Sequence, residues 1–283
     1  MIQDEYKLND PTSFRHSKNL FEMPKKAGLA VMKGKKMSLA ATYGGKDRLE
    51  DYSNLRTYMG HRYLAKKSAG TYKTKKRFPL FFKPDTKVGL KEVFDFFRFR
   101  FEGTKYCPET TGRDDVRLIG TESTFNAHVI EIYDKLKPEF GSTAWIALGN
   151  CEHSVFLPYS NMLSKVDERF SCFDKTLKYA KSKKCLKDQE DRPILYDEDI
   201  AQVCFKRLCL IAEHDREKYG KGVRDYWSKK EEALIKEFPK VIKEVNKLSK
   251  SSNAKAQRYL EKWTMSLQNE TLEEAKTIFD QLI

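Results

Sequence analysis

The sequence predicts an α+β fold with a helical C-terminal portion, and three features carry that expectation. An apolar stripe at helical spacing occupies residues 90–101, β-rich runs crowd residues 116–157, and the last third returns to helical periodicity. No internal repeat or low-complexity segment interrupts this order.

Residues 1–85 are polar, basic and weakly periodic, with turn signals at Asn9-Asp10-Pro11 and Gly44-Gly45. Leu90, Val93, Phe94, Phe97 and Phe101 then share one helical face, predicting a helix from near Lys87 to Glu102 that Gly103 ends. Phe99 lies off that stripe. Strands are expected at Val116–Ile119, His128–Tyr133, Thr143–Leu148 and Ser154–Leu157, with Gly149-Asn150 turning the chain between the last two. No helix-length connection separates these runs, so they read as an antiparallel sheet.

In the last third, Ile200, Cys204, Leu208 and Ile211 recur on one face. Leu234, Ile235, Phe238, Val241, Ile242 and Val245 form a second stripe, where Pro239 is expected to kink or break the helix. Thr271 and Glu274 have the spacing of a capping box, predicting a final helix that starts there and buries Ala275, Ile278, Phe279 and Leu282.

Composition narrows the function classes. The 283 residues are 40% hydrophobic and 12% aromatic, enough for a packed core. No apolar run reaches the roughly 20 residues of a membrane span, and Met1–Tyr6 has neither the basic nor the apolar region of a signal peptide. The six cysteines form no C-x-x-C pair, which suits reduced thiols and a cytoplasmic protein better than a disulfide framework or a zinc site. The net charge of +13 gathers in Lys33-Gly34-Lys35-Lys36, Lys66-Lys67 and Lys73–Arg77, and Phe97-Arg98-Phe99-Arg100-Phe101 alternates rings with guanidinium groups. Such features can hold nucleic acid. Carboxylates scattered among them and the absence of any nucleic-acid motif make solvated surface the better account.

Neither a metal nor a phosphate site is legible. The five histidines are dispersed, no H-E-x-x-H grouping occurs, and Gly44-Gly45 lacks the rest of a phosphate loop. Cys151 and His153 are close in sequence, yet nothing obliges them to pair, and Cys151 reads as a packed thiol.

Arg117-Leu118-Ile119-Gly120-Thr121-Glu122-Ser123-Thr124-Phe125-Asn126-Ala127-His128-Val129 is followed by Trp145-Ile146-Ala147-Leu148-Gly149-Asn150 and Ser154-Val155-Phe156-Leu157-Pro158. This succession resembles the second half of the cysteine-type dipeptidases related to lactic-acid-bacterial dipeptidase A. These belong to the N-terminal-nucleophile hydrolase superfamily and are akin to the secernins. Leu8-Asn9-Asp10-Pro11 with Ser17-Lys18-Asn19-Leu20, then Tyr43-Gly44, Asp51–Arg56, Arg62-Tyr63-Leu64 and Glu102–Tyr106 are similar to the family's pattern in the same order. The likeness weakens after about residue 185.

The resemblance implies a four-layer αββα sandwich, with residues 1–195 as the C-terminal portion of that domain and 196–283 as its helical end. It also implies a metal-free and cofactor-free mechanism in which an N-terminal cysteine attacks a dipeptide carbonyl. No cysteine precedes Cys107, so the expectation is a truncated chain that lacks the nucleophile, is inactive alone and pairs with a separate N-terminal half in trans. A homo-oligomer is compatible with this, a membrane is not expected, and nucleic acid is a poorer partner than a dipeptide. The alternative is a non-catalytic remnant that acts by binding. Thr121, Thr124, Asn126 and His128 alternate within the signature and are candidates to touch substrate. Asn150 is a candidate oxyanion donor, and Arg56 and Arg117 are candidates to fork onto a peptide carboxylate.

Overall fold

The computed structural model describes residues 15–44, 51–70, 82–121, 123–171 and 199–283. The basic run Lys73–Arg77, the Asn9-Asp10-Pro11 turn, Gly45, Glu122, Cys172 and Cys185 lie outside the described residues. The chain divides into two compact units, Met1–Lys87 with Phe101–Arg117, and Val88–Arg100 with Leu118–Ile283. Residues 118–171 thus fall in the same unit as the C-terminal helices.

The first unit holds short elements where the sequence has little periodicity. Helix α1 (Glu22–Lys26) leads to a hairpin of β1 (Met32–Lys33) and β2 (Lys36–Met37), in which Met32 faces Met37 and Lys33 faces Lys36. Gly34 turns that hairpin at φ 59°, in the left-handed region that favours glycine. The Lys33–Lys36 cluster is therefore an exposed turn over a small core of Met37 and Leu39, which Leu20, Phe21 and Ala30 flank. Helices α2 (Leu39–Tyr43), α3 (Asp51–Leu64) and α4 (Lys66–Ala69) follow, and α6 (Pro108–Thr111) belongs to this unit too. Leu55 and Met59, a helical turn apart on α3, are buried.

The second unit packs α5 (Leu90–Phe97) and three long helices against an antiparallel sheet. Strands β3 (Asn126–Ile132), β4 (Ser142–Leu148) and β5 (Leu157–Ser160) lie in that spatial order. The register runs from Asn126 opposite Leu148 to Ile132 opposite Ser142, and from Thr143 opposite Ser160 to Ile146 opposite Leu157. Behind the sheet come α7 (Ala201–His214), a π turn at Arg216–Gly220, α8 (Lys221–Ser249) and α9 (Asn253–Leu282). Trp145 of β4 is the keystone, 5.6 Å centroid to centroid from both Phe94 of α5 and Phe238 of α8. Phe94 also stacks on Phe156 at 4.2 Å.

Several expectations need correction. Residues 116–119 are irregular instead of a strand: a Cβ on Gly120 would come within 3.0 Å of both Cys151 Sγ and the Phe97 carbonyl oxygen, so close packing and not a ladder sets this path. The strand expected at Ser154–Leu157 begins only at Leu157, because residues 149–156 are taken up by a buried turn. Helix α5 is shorter than the 87–102 expectation. Gly89 starts it, with Glu92 accepting from its backbone N–H at 2.9 Å, and the chain reaches φ 65° at Phe101. Helix α8 runs unbroken through Pro239, whose neighbours Leu234, Phe238, Val241 and Ile242 are all buried, so packing outweighs the lost backbone donor. The last helix begins at Asn253, where the Ser252 side chain caps Lys255 N, and not at Thr271. Thr271 is buried in mid-helix and donates to the Leu267 carbonyl four residues back at 2.7 Å, an alternative its hydroxyl always has.

Among the described residues no helix is long and apolar enough to cross a membrane.

Candidate functional site

The β4–β5 turn concentrates the chemistry of the second unit. Gly149 leaves β4 at φ 73°, and Asn150, Cys151, Glu152, His153 and Ser154 then follow one another with at most 3% exposure. Polar groups without water must find partners inside the protein. Two charge networks supply most of them, while the Ser154 hydroxyl and both His153 ring nitrogens have no hydrogen-bond partner among the described residues.

The first holds the turn by its backbone. Arg98, just past the end of α5, forks onto Glu231 of α8 with both contacts at 2.6 Å. The same guanidinium donates to the carbonyls of Cys151 and Ser154, each at 2.8 Å, and Glu231 accepts from the Phe156 N–H at 2.7 Å. Burial pushes the Glu231 carboxyl upward while Arg98 opposes that shift. Arg98 is thus sealed within the core, and the Phe-Arg stretch offers no stacking surface there. Glu231 occupies an otherwise apolar face of α8 between Trp227 and Leu234.

The second network holds the turn by its side chains. Glu152 meets Arg216 at 2.5 Å, Arg100 at 3.3 Å and Arg224 at 4.0 Å. Arg216 also bonds Glu213 of α7, which accepts from the Asn150 side-chain amide at 2.5 Å. Burial works against ionisation of Glu213, yet the His153 ring and the Arg216 guanidinium hold its pKa at about 2. His153 is fully buried, its Nε2 3.5 Å from Glu213, an electrostatic neighbour rather than a well-formed hydrogen bond. Glu152, His153 and Glu213 bring potential ligand atoms within 4.8 Å of one another. Three guanidinium groups already outnumber the two carboxylates, so a divalent cation would enter a positive surround with both carboxylates committed elsewhere. The donor set fits an internal ion network better than a metal centre.

The candidate residues sort into separate groups. Asn150 is fully buried, donates to Glu213 and accepts from the Glu152 N–H at 3.1 Å, so it orders the turn in which it sits. Thr121 and Thr124 come together in a tight turn, with the Thr121 N–H donating to Thr124 Oγ1 at 3.1 Å. Asn126 and His128 are exposed on one face of β3, beside Ile130 and Ile132. Arg56 and Arg117 meet in the first unit, where Arg117 lies 5.5 Å over the Tyr52 ring and Tyr52 stands one helical turn before Arg56 on α3. Cys151 is buried with its thiol against the Phe97 carbonyl at 3.5 Å, and burial pushes its pKa up to about 12. Cys209, likewise sealed, is pushed to about 12 by the same cause.

Sequence reasoning missed Arg98, Glu152, Glu213, Arg216 and Glu231. One signal was available: Glu231 interrupts the series Trp227, Leu234, Phe238, and a carboxylate in an apolar period implies a buried cation facing it.

Residues 1–187 match Peptidase family C69. The chain belongs to that family. Over 84 residues it is 31% identical to a probable dipeptidase of Salmonella dublin. That stretch is 29% of this C69 chain and 19% of the relative, so the likeness spans about a fifth of the relative's length.

Proposed function

We propose that this chain is the C-terminal portion of a dipeptidase that cleaves dipeptide amide bonds with a cysteine thiolate supplied by a separate N-terminal half. The observation that carries this reading is the state of the cysteines in a member of a peptidase family. Cys107, Cys151, Cys204 and Cys209 are buried and outside any disulfide, and the Cys151 and Cys209 thiols, pushed to about 12, stay protonated at neutral pH. Only the thiolate is an effective nucleophile. In this scheme the partner's leading cysteine loses its proton to its own α-amine, whose pKa of about 7.7–8.0 suits the task. The thiolate attacks the carbonyl, the α-ammonium returns its proton to the departing amine as the C–N bond breaks, and water then hydrolyses the acyl-thioester.

The sheet supports an incoming half. β3 is an edge strand with no second neighbour among the described residues, and Phe125, Ile130 and Ile132 are exposed along it. Such an edge is a template for further strands, as the αββα sandwich of this proposal requires. The test is hydrolysis of unblocked dipeptides by residues 1–283 alone and mixed with a family N-terminal half. Turnover is expected only in the mixture, and only when the supplied half carries its leading cysteine. Turnover by the lone chain would overturn the proposal.

A further inference from the structure

Several arginines of this protein meet a carboxylate. Arg98 meets Glu231, Arg113 meets Asp115, Arg169 meets Asp167, and Arg216 meets Glu152 and Glu213. Arg56 and Arg117 depart from this, since neither has a carboxylate partner among the described residues. They are nevertheless held near each other. Arg117 rests on the face of Tyr52, a cation–π contact that fixes a long side chain. Arg56 stands four residues on from Tyr52 in the same helix, near enough for the charges of Arg117 and Tyr52 to act on it, and Tyr52 is 58% exposed. Burial and then the charge of Arg117 lower the Arg56 pKa, with Tyr52 opposing, as expected of like charges in proximity.

Two neighbouring guanidinium groups can make a site for a planar anion, because each presents paired N–H donors that match the two oxygens of a carboxylate. An enzyme confined to dipeptides must also read the length of its substrate, and the charged termini are the groups that report it. A site built to pair with a terminal charge rejects strongly any substrate that leaves it unpaired. We propose that Arg56 and Arg117, set beside Tyr52, form the clamp that takes the free C-terminal carboxylate of a dipeptide. This rests on the dipeptidase reading and adds to it the part of the substrate that the first unit holds.

The test is calorimetric binding of alanyl-alanine, its C-terminal amide and inorganic phosphate to the full chain and to its Arg56→Gln and Arg117→Gln variants. The dipeptide is expected to bind roughly ten- to a hundredfold more tightly than the amide, the cost of losing a charge-assisted pair. Either variant should lose a similar factor for the dipeptide and little for the amide, and Arg56→Lys should recover part of the loss. If a variant fails to fold, the contrast between dipeptide and amide on the unaltered chain still decides. Equal binding of dipeptide and amide, binding of neither, or phosphate binding at least as tightly as the dipeptide would overturn the clamp. Its failure is separable from that of the parent reading. A mixture that hydrolyses dipeptide and amide alike sinks the clamp and keeps the dipeptidase; selective dipeptide binding beside an inert mixture does the reverse.

Discussion

Clustered arginines take opposite forms in the two units. At the β4–β5 turn, Arg100, Arg216 and Arg224 converge on Glu152, and Arg216 reaches Glu213 as well. In the first unit, Arg117 lies over the Tyr52 ring of α3 and Arg56 stands one helical turn on, with no carboxylate partner for either among the described residues. A network whose charges answer one another makes no demand on a ligand; it stabilises a conformation. A pair of like charges with no answer weakens its own surroundings and gains by binding an anion. Under the clamp proposal, the difference separates the part of the chain built to hold a turn from the part available for recognition.

The largest expected effect breaks the closed side. Glu231→Ala should cost about 3–5 kcal/mol, because Arg98 is left buried and uncompensated, as read by urea unfolding. The double change Arg98→Met with Glu231→Leu should cost much less, since no lone charge remains. A loss below about 1 kcal/mol for Glu231→Ala would mean that the pair does not hold the turn.

Next in size, Glu152→Gln should cost about 1–3 kcal/mol by leaving its arginines short of a partner, whereas Arg56→Gln should change stability by no more than about 0.5 kcal/mol. Equal losses at the two sites, measured in the same denaturant series, would erase the contrast.

A smaller effect follows from Glu213. Its folded pKa, about 2, lies below the ordinary value of 4.5, so its contribution to stability is fully present above pH 4.5 and is lost as pH falls through about 2. Thermal melting of the unaltered chain and of Glu213→Gln should therefore differ at neutral pH and converge toward pH 2. A gap that stays constant down to pH 2 would contradict the ionised carboxylate.

Periodicity made the scaffold legible, and long-range pairing hid the site. Alternation placed β3 and β4 close to their observed bounds, and the Leu234–Val245 stripe located the buried face of α8. Local signals failed where tertiary packing decided. Thr271 and Glu274 have the spacing of a cap but sit inside a 30-residue helix, and Pro239 lies inside one of 29 residues. Residues 116–119 look like a strand but follow the packing of Gly120 against Cys151. The Arg98–Glu231 pair spans 133 positions of sequence, beyond the reach of any local pattern. Arg56 and Arg117 were singled out through family resemblance alone; that neither has a carboxylate partner among the described residues was visible only in three dimensions.

The central claim is that the thiol which attacks the peptide is none of the six in this chain. It is tested most directly by treating the reconstituted mixture with a dipeptide-derived, thiol-directed electrophile and locating the adduct by peptide mass spectrometry. The account predicts modification of the supplied half's leading cysteine, blocked by excess dipeptide, with Cys107, Cys151, Cys204 and Cys209 untouched until the protein is unfolded. A stoichiometric, dipeptide-protected adduct on Cys151, or on any other cysteine of this chain, would contradict it.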